Sequence, residues 1–467
     1  MELKGRKSLV MGAGRSGKAT ARFLSEKGAI VALYDRKPIE QWDEDALNLR
    51  ESHGVGLLSG ELPSWLLDQI DLLVISPGVP TKNIPARYVD RKDGEVIGEI
   101  ELASRFLRGR LVAITGSNGK TTTTTLTGKM LSDAGFKVLV GGNIGKPLLE
   151  LVEFSDDETW TVAEVSSFQL ETIKYFHPDV AACLNVTPNH LDRYDSFLDY
   201  AAAKHRIFMN QTPSDTAILN ADNEITASWV SGLAARKILF SVRRELEEGL
   251  FLRGRDLVLR TEDEERILIN RDEIFLRGLH NVENILAAFA SCIACRAPLE
   301  KIRNSVSEFR GVEHRIEYVS EIRGIKFFND SKATSVDATA KALEAFSEES
   351  GRIVLIMGGR GKNAPYEPLI PLIKDKVRAI VAIGEDAPRI RQELSDSAEI
   401  IPADSMENAV NEAFLRAGKG DTVLLAPACA SFDMFQSFEH RGDVFKEAVY
   451  RLEKQENETL IRKDAGI

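Results

Sequence analysis

Apolar residues along this chain fall into short unbroken runs separated by stretches of helical period, the signature of buried parallel strands alternating with amphipathic helices. Near the start, SLVMGAGRSGKATARFLSEKGAIVALYDR reads strand, turn, helix, strand. An apolar strand at 72–75 ends in Ser76-Pro77-Gly78, and a helical pattern over 99–107 leads through Arg108-Gly109-Arg110 into a mostly apolar strand at 111–115. Further on, WTVAEVSSFQL and VAACLNVTPNHLDRY read as strands with polar ends, and a helix is expected over 196–209. Short strand-like runs at 237–242, 250–252, 257–259 and 267–269 predict a small β subdomain appended to the sheet. The charged segments RRELEE (243–248) and TEDEER (261–266) read as hairpin loops and solvated faces. A helix over 280–294 follows, residues 311–315 read as a linker, and strands at 326–328, 353–357, 379–383, 399–401 and 422–425 alternate with helices. The closing KQENETLIRKDAGI looks like a helix end fraying into a polar tail.

These elements predict an α/β chain of three domains. A Rossmann-like N-terminal domain spans 1–108, a central P-loop ATPase-type parallel sheet with the β subdomain spans 109–311, and a Rossmann-like C-terminal domain spans 312–467. The length of 467 residues agrees, at about 150 residues per domain.

Composition narrows the classes of partner. A net charge of −11 argues against bulk attraction to nucleic acid or to an anionic membrane, so any anionic ligand must be held by local devices. No apolar run approaches the roughly 18 residues of a membrane span, and the first strand starts almost at Met1, so a cytoplasmic protein without signal peptide is expected. Cys292 and Cys295 form a C-x-x-C, but they sit in the apolar helix pattern NILAAFASCIACRA with no second pair nearby and read as small buried hydrophobes.

The densest chemistry lies in LVAITGSNGKTTTTTLTG at 111–128. An apolar strand, two glycines, Lys120 and a threonine-rich helix start make a phosphate cradle. Its backbone N–H groups turn inward, Lys120 reaches terminal phosphates, and the Thr121 hydroxyl can hold Mg²⁺. Only Ser117 and Asn118 separate the first glycine from Gly119-Lys120-Thr121, shorter than the common loop. Glu164 and His190 fall near the ends of neighbouring strands and suit a metal shell for a bound nucleotide. Gly12, Gly14 and Gly17 form G-x-G-x-x-G, with Asp35 at the end of the next strand placed to accept from a ribose; NAD and a UDP-sugar are both compatible. Polar loops after the third-domain strands can catch a carboxylate. Lys204, the one lysine of its helix, reads by default as a solvated side chain. With no G-x-S-x-G nucleophile in view, a substrate carboxylate activated directly by ATP fits this set.

Together, GAGRSG, SPG at 76–78, TGSNGKTT at 115–122, GNIG at 142–145, EVSSFQLE at 164–171, NVTPNHLDRY at 185–194, HNVEN at 280–284, HRIE at 314–317, NDSKAT at 329–334 and PACASFDMF from 427 make the chain resemble the Mur ligases over nearly its whole length. The resemblance implies an ATP-dependent amide ligase of peptidoglycan precursor synthesis that adds D-glutamate to UDP-N-acetylmuramoyl-L-alanine through an acyl phosphate. It implies a UDP-substrate site at Arg15, Ser16, Asp35, Arg36, Ser76, Pro77, Gly78 and Asn143. ATP would use Gly116, Ser117, Asn118, Gly119, Lys120, Thr121 and Thr122, with Asn281, Arg315 and Asp330. Two Mg²⁺ ions would be held by Thr121, Glu164, His190 and Lys204, the last as a carbamate. D-glutamate would be caught by Lys332, Thr334, Lys362, Ser431 and Phe438, and Lys120, Glu164, His190 and Lys204 would be catalytic. A monomer is expected. Ser335 and Arg360 depart from the family pattern, which often has Asn and an acidic residue there. The alternatives are an NAD-binding oxidoreductase or sensor with an NTPase switch, or another ligase of the superfamily such as a folylpolyglutamate synthetase.

Overall fold

Mostly apolar runs such as Leu72–Ile75, Thr159–Glu164 and Val180–Cys183 are buried along their whole length in the computed structural model, as strands covered on both faces must be. The structure describes residues 1–84, 88, 94–188, 193–276, 278–346, 351–361 and 364–464, without the side chains of residues 64, 83 and 459–464. Within these it has three sheets. Strands β1 (Lys7–Met11), β2 (Ile30–Asp35), β3 (Gly56–Ser59), β4 (Leu72–Ile75) and β5 (Glu95–Gly98) form a parallel sheet in the order β3-β2-β1-β4-β5.

The second sheet has nine strands: β6 (Arg110–Thr115), β7 (Lys137–Gly142), β8 (Thr159–Glu164), β9 (Val180–Cys183), β10 (Thr216–Asn220), β11 (Arg236–Ser241), β12 (Gly249–Arg253), β13 (Asp256–Arg260) and β14 (Glu265–Asn270). Its order is β14-β13-β12-β11-β10-β9-β6-β8-β7, so the expected β subdomain is the continuation of the central sheet. The turn from β13 to β14 is the expected antiparallel hairpin, but RRELEE is not one: β11 and β12 pair in parallel through Phe240–Leu250 and Ser241–Phe251. The third sheet, β15 (Glu317–Ile322), β16 (Ile325–Asn329), β17 (Ile353–Gly358), β18 (Val377–Ile383), β19 (Glu399–Pro402) and β20 (Thr422–Leu425), has the order β15-β16-β20-β17-β18-β19.

Four expectations about elements are corrected. The third sheet is parallel except for β15, an antiparallel edge strand that the sequence pattern did not reveal. Residues 311–315 do not form a loose linker, since Val312 and Arg315 bridge across a tight turn whose His314 is 6% exposed. The helix Phe197–His205 ends early and passes into a 3₁₀ turn, Arg206–Phe208. The last helix, Phe438–Asp464, runs on through most of the stretch read as fraying.

The chain divides into two compact units, Met1–Phe309 with the first two sheets and Arg310–Ile467 with the third. In the first, the helix Glu99–Ser104 joins the sheets and carries two buried carboxylates. Glu101 accepts the backbone amides of Lys174, Tyr175 and Phe176 at 2.8, 3.0 and 2.9 Å, and Arg105 Nε at 2.9 Å. Glu99 accepts the Leu149 amide at 2.9 Å, and burial pushes its carboxyl up to about 7. All four cysteines are buried and unpaired; burial raises the Cys183 thiol to about 12 and the Cys429 thiol to about 11, and lifts Cys292 and Cys295 as well. No helix among the described residues is long and apolar enough to cross a membrane.

Candidate active site

Strand β6 delivers the chain into residues 116–119, and the helix Lys120–Asp133 starts with no side-chain cap and no acidic residue in its first turn. Its free N–H groups and dipole therefore remain available to an anion. Gly119 has φ +83°, and a Cβ there would lie 2.1 Å from Asn284 Oδ1, so only glycine fits between the loop and the helix Leu279–Ala294. The loop is fixed from the β9 side. Ser117 N donates to Asn185 O at 2.9 Å, Asn118 N to Asn185 Oδ1 at 2.9 Å, and Ser117 Oγ lies 3.0 Å from Tyr200 Oη.

Two lysines converge on one carbonyl. Lys120 Nζ and Lys204 Nζ each donate to Gly116 O at 2.8 Å, and Lys120 also donates to Ser117 O at 3.1 Å. Lys204 is 2% exposed, with its amine 4.8 Å from the Tyr200 ring centre, which overturns the solvated-helix reading. Burial, and then the Lys120 charge, lower its pKa to about 7, so much of it is neutral near that pH. Beside them, Glu164 at the end of β8 accepts Thr121 Oγ1 at 2.8 Å through Oε2 and Asn143 Nδ2 at 2.7 Å through Oε1. A hydroxyl and a carboxylate at a helix N-terminus are hard oxygen donors of the kind Mg²⁺ prefers, so these residues fit that ion. His190 lies outside the described residues.

In the first sheet the helix Arg15–Glu26 is likewise uncapped, with Arg15 and Ser16 in its first turn. A Cβ on Gly17 would sit 1.7 Å from Gly12 O, so the glycine pattern here is what lets helix and turn touch. Ser76 Oγ donates to Gly12 O at 3.2 Å, which seats the SPG loop on that turn. The Asp35 carboxylate accepts Ala13 N at 2.9 Å and Lys37 N at 3.0 Å. Arg193 ties the two sheets together: it donates to Pro77 O at 2.8 Å and Val79 O at 3.1 Å, and its guanidinium lies 3.8 Å from the Phe168 ring centre.

In the second compact unit, the loops after β16, β17 and β20 form one rim. Lys332 Nζ lies 3.8 Å from the Phe438 ring centre, Thr334 N donates to Lys332 O at 2.8 Å, and Ser431 is 2% exposed. Arg360 bridges to Ala430 through paired backbone bonds of 2.9 and 3.0 Å, while its guanidinium pairs with Glu385 at 3.0 Å. Lys362 lies outside the described residues. Asp330 accepts Ile316 N at 3.3 Å, and burial raises its carboxyl to about 7.

Residues 6–98 match the model of the Mur ligase MurD-like N-terminal domain, residues 114–292 that of the Mur ligase middle domain, and residues 314–429 that of the Mur ligase glutamate ligase domain. A relative from Koribacter versatilis, a UDP-N-acetylmuramoylalanine--D-glutamate ligase, is 46% identical over 98% of this chain and 100% of its own. The chain belongs to the Mur ligase family.

A second relative of the same name, from Pelotomaculum thermopropionicum, is 45% identical over 96% of this chain and 98% of its own. Among solved Mur ligases, the UDP-N-acetylmuramate-alanine ligase MurC of Thermotoga maritima superposes with a TM-score of 0.55 at 19% identity, covering 95% of this chain and 99% of that one. A pseudomurein peptide ligase type C from Methanothermus fervidus gives 0.54 at 19% identity, over 96% of this chain and 100% of that one. These two share the fold.

In this Mur ligase the structure brings Lys120, Thr121, Asn143, Glu164 and Lys204 together around one loop. Asn281, at the start of the helix Leu279–Ala294, accepts Asn284 Nδ2 at 3.2 Å, and Arg315 and Asp330 belong to the second unit. Sequence reasoning missed Arg193 and Tyr200. Both sit in or just after the NVTPNHLDRY segment, the signal by which they could have been singled out. The oxidoreductase reading is set aside with the family assignment, which also accounts for HRIE and NDSKAT.

Proposed function

We propose that this Mur ligase adds D-glutamate to UDP-N-acetylmuramoyl-L-alanine through an acyl phosphate, converting ATP to ADP and phosphate, in the three domains 1–108, 109–311 and 312–467. What supports the reading most is the pair of lysines on Gly116 O beside the Thr121–Glu164–Asn143 chain, a phosphate loop with a buried amine of lowered pKa next to it. The two relatives of that name, more than 40% identical over nearly all of this chain, support that substrate class.

Residues 116–122 hold the triphosphate, with Asn281, Arg315 and Asp330 on the nucleotide from the side. Lys120 leaves its carbonyl partners for the terminal phosphate and stabilises the charge that develops as the alanyl carboxylate oxygen bonds to phosphorus and ADP departs. The D-glutamate amine then bonds to the acyl carbon and phosphate leaves with its oxygen. Arg15, Ser16, Asp35, Arg36 and residues 76–78 orient the UDP end, while Lys332, Thr334, Lys362, Ser431 and Phe438 seat the amino acid. Thr121, Glu164 and His190 hold Mg²⁺, which supplies charge neutralisation on the phosphates. Lys204 completes a second ion site as a carbamate: its neutral amine nitrogen bonds to the carbon of CO₂ and one amine proton is released. The enzyme is assigned to the cytoplasm as a monomer.

The test is phosphate release with UDP-N-acetylmuramoyl-L-alanine, ATP and a panel of amino acids. D-glutamate should support turnover and L-glutamate should not; equal rates with both would overturn the assignment.

A further inference from the structure

Among the described residues Arg441 is the largest side chain that is fully enclosed, at 0% exposure. It lies one turn past Phe438 on the helix Phe438–Asp464 and points into the rim of the second unit. Its Nε donates to Ser331 Oγ at 2.9 Å, Nη2 to Ser331 O at 2.9 Å, and Nη1 to Cys429 O at 3.1 Å. Ser331 Oγ in turn donates to Phe438 O at 2.7 Å, closing the ring on the helix start. A Cβ on Gly359 would meet Nη1 at 3.2 Å, so the loop after β17 rests on the same guanidinium. One side chain thus donates to two of the strand-end loops and lies close beside the third.

Among the described residues its hydrogen-bond acceptors are all neutral and it makes no ion pair. Burial lowers its pKa to about 10, which still leaves it charged near neutral pH. A buried cation without a contacting counter-ion is costly to a fold unless something compensates it, and the charge of Asp433 acts on this one from a distance. Here it underlies the loops that carry Lys332, Thr334 and Ser431, where an acidic amino acid is proposed to bind.

We propose that Arg441 is the positioning residue of the amino-acid pocket: it locks the Ser331-Lys332 and Cys429-Ser431 loops together and supplies the standing positive charge that favours an amino acid with a second carboxylate. This rests on the D-glutamate reading above, and the same assay separates the two. Wild-type enzyme that fails to turn over D-glutamate sinks the ligase reading; wild-type turnover with unshifted variants sinks only the role of Arg441.

The experiment measures KM for D-glutamate, for ATP and for the UDP substrate, and the preference for D-glutamate over D-glutamine, in wild type, Arg441→Met, Arg441→Lys and Ser331→Ala. Thermal midpoints report folding. Arg441→Met should raise KM for D-glutamate roughly tenfold or more and shrink the preference over D-glutamine, with the other two KM values within about twofold. Arg441→Lys and Ser331→Ala keep a charge at the site while losing hydrogen bonds, so they should raise the same KM but retain the preference. If Arg441→Met does not fold, these two conservative variants decide. A folded set whose KM for D-glutamate stays unchanged, or which loses only kcat, overturns the proposal.

Discussion

The first unit contains two strand–turn–helix corners written in nearly the same glycine grammar, and they put it to different uses. At residues 12–17 the glycines serve contact: Gly17 lies where any Cβ would collide with Gly12 O, Ser76 closes on the same carbonyl, and the Asp35 carboxylate is engaged by backbone amides. What that corner offers an anion is main chain, an uncapped helix and the Arg15 and Ser16 side chains of its first turn. At residues 116–121 reactive side chains converge as well, with two amines on one carbonyl and a hydroxyl on a buried carboxylate. A glycine motif therefore marks where a phosphate can approach, and the side chains brought in from other strands decide whether chemistry follows.

The sharpest way to break this contrast is Lys120→Ala. It should lower kcat by roughly 10³-fold while leaving the UDP-substrate Kd nearly unchanged, because that ligand is proposed to bind the other corner. Calorimetric titration that finds UDP-substrate binding abolished would dissolve the division of labour. Lys204→Ala comes next, with a loss of roughly 10²-fold in turnover and partial recovery in millimolar acetate or formate, which replace the missing carboxylate. Loss without any rescue, in an enzyme that still binds ATP, would leave Lys204 without its proposed carbamate.

Gly17→Ala tests the other corner. Forcing a methyl against Gly12 O should cost about 1–3 kcal/mol in stability and weaken UDP-substrate binding, with kcat at saturation largely kept. Unchanged denaturant midpoint and affinity would show that the corner tolerates a side chain after all.

The smallest effect concerns Glu99, on the helix between the two corners. Its carboxyl titrates near 7 in the folded protein against 4.5 ordinarily, so the folded state holds the extra proton between those values. Stability from this group is thus fully present below pH 4.5, falls as pH rises toward 7 and is flat beyond. Glu99→Gln keeps an acceptor for Leu149 N and removes that slope. It should match wild type near pH 4 and exceed it at pH 8 by no more than about 3 kcal/mol, read from thermal midpoints. A variant less stable than wild type at pH 8 would mean that the carboxylate is compensated where it lies.

Lys120 and Thr121 were legible because everything that defines their role lies within a few residues of sequence: an apolar strand, glycines and a helix start. Glu164 was legible as a strand end, but its grip on both Thr121 and Asn143 is a product of the register that sets Ile114 beside it. Lys204, Glu99, Glu101 and Arg441 are harder in principle. Charged residues on helices read as solvated faces, and only the tertiary fold reveals that each is enclosed. Strand β15 was hidden for a related reason, since Glu317–Ile322 is an edge strand with most of its positions only partly covered, leaving little apolar alternation to read.

The burial of all four thiols has a practical corollary. With no exposed cysteine among the described residues and every thiol pKa raised, the native protein offers a sulfhydryl reagent almost no thiolate at neutral pH. A cysteine placed at Leu198, which is 70% exposed in the first unit, and another at Leu415, 73% exposed in the second, would react alone against a silent background. Spin labels or a donor–acceptor dye pair at those two positions would then report, in solution and through each ligand addition, the distance between the two compact units.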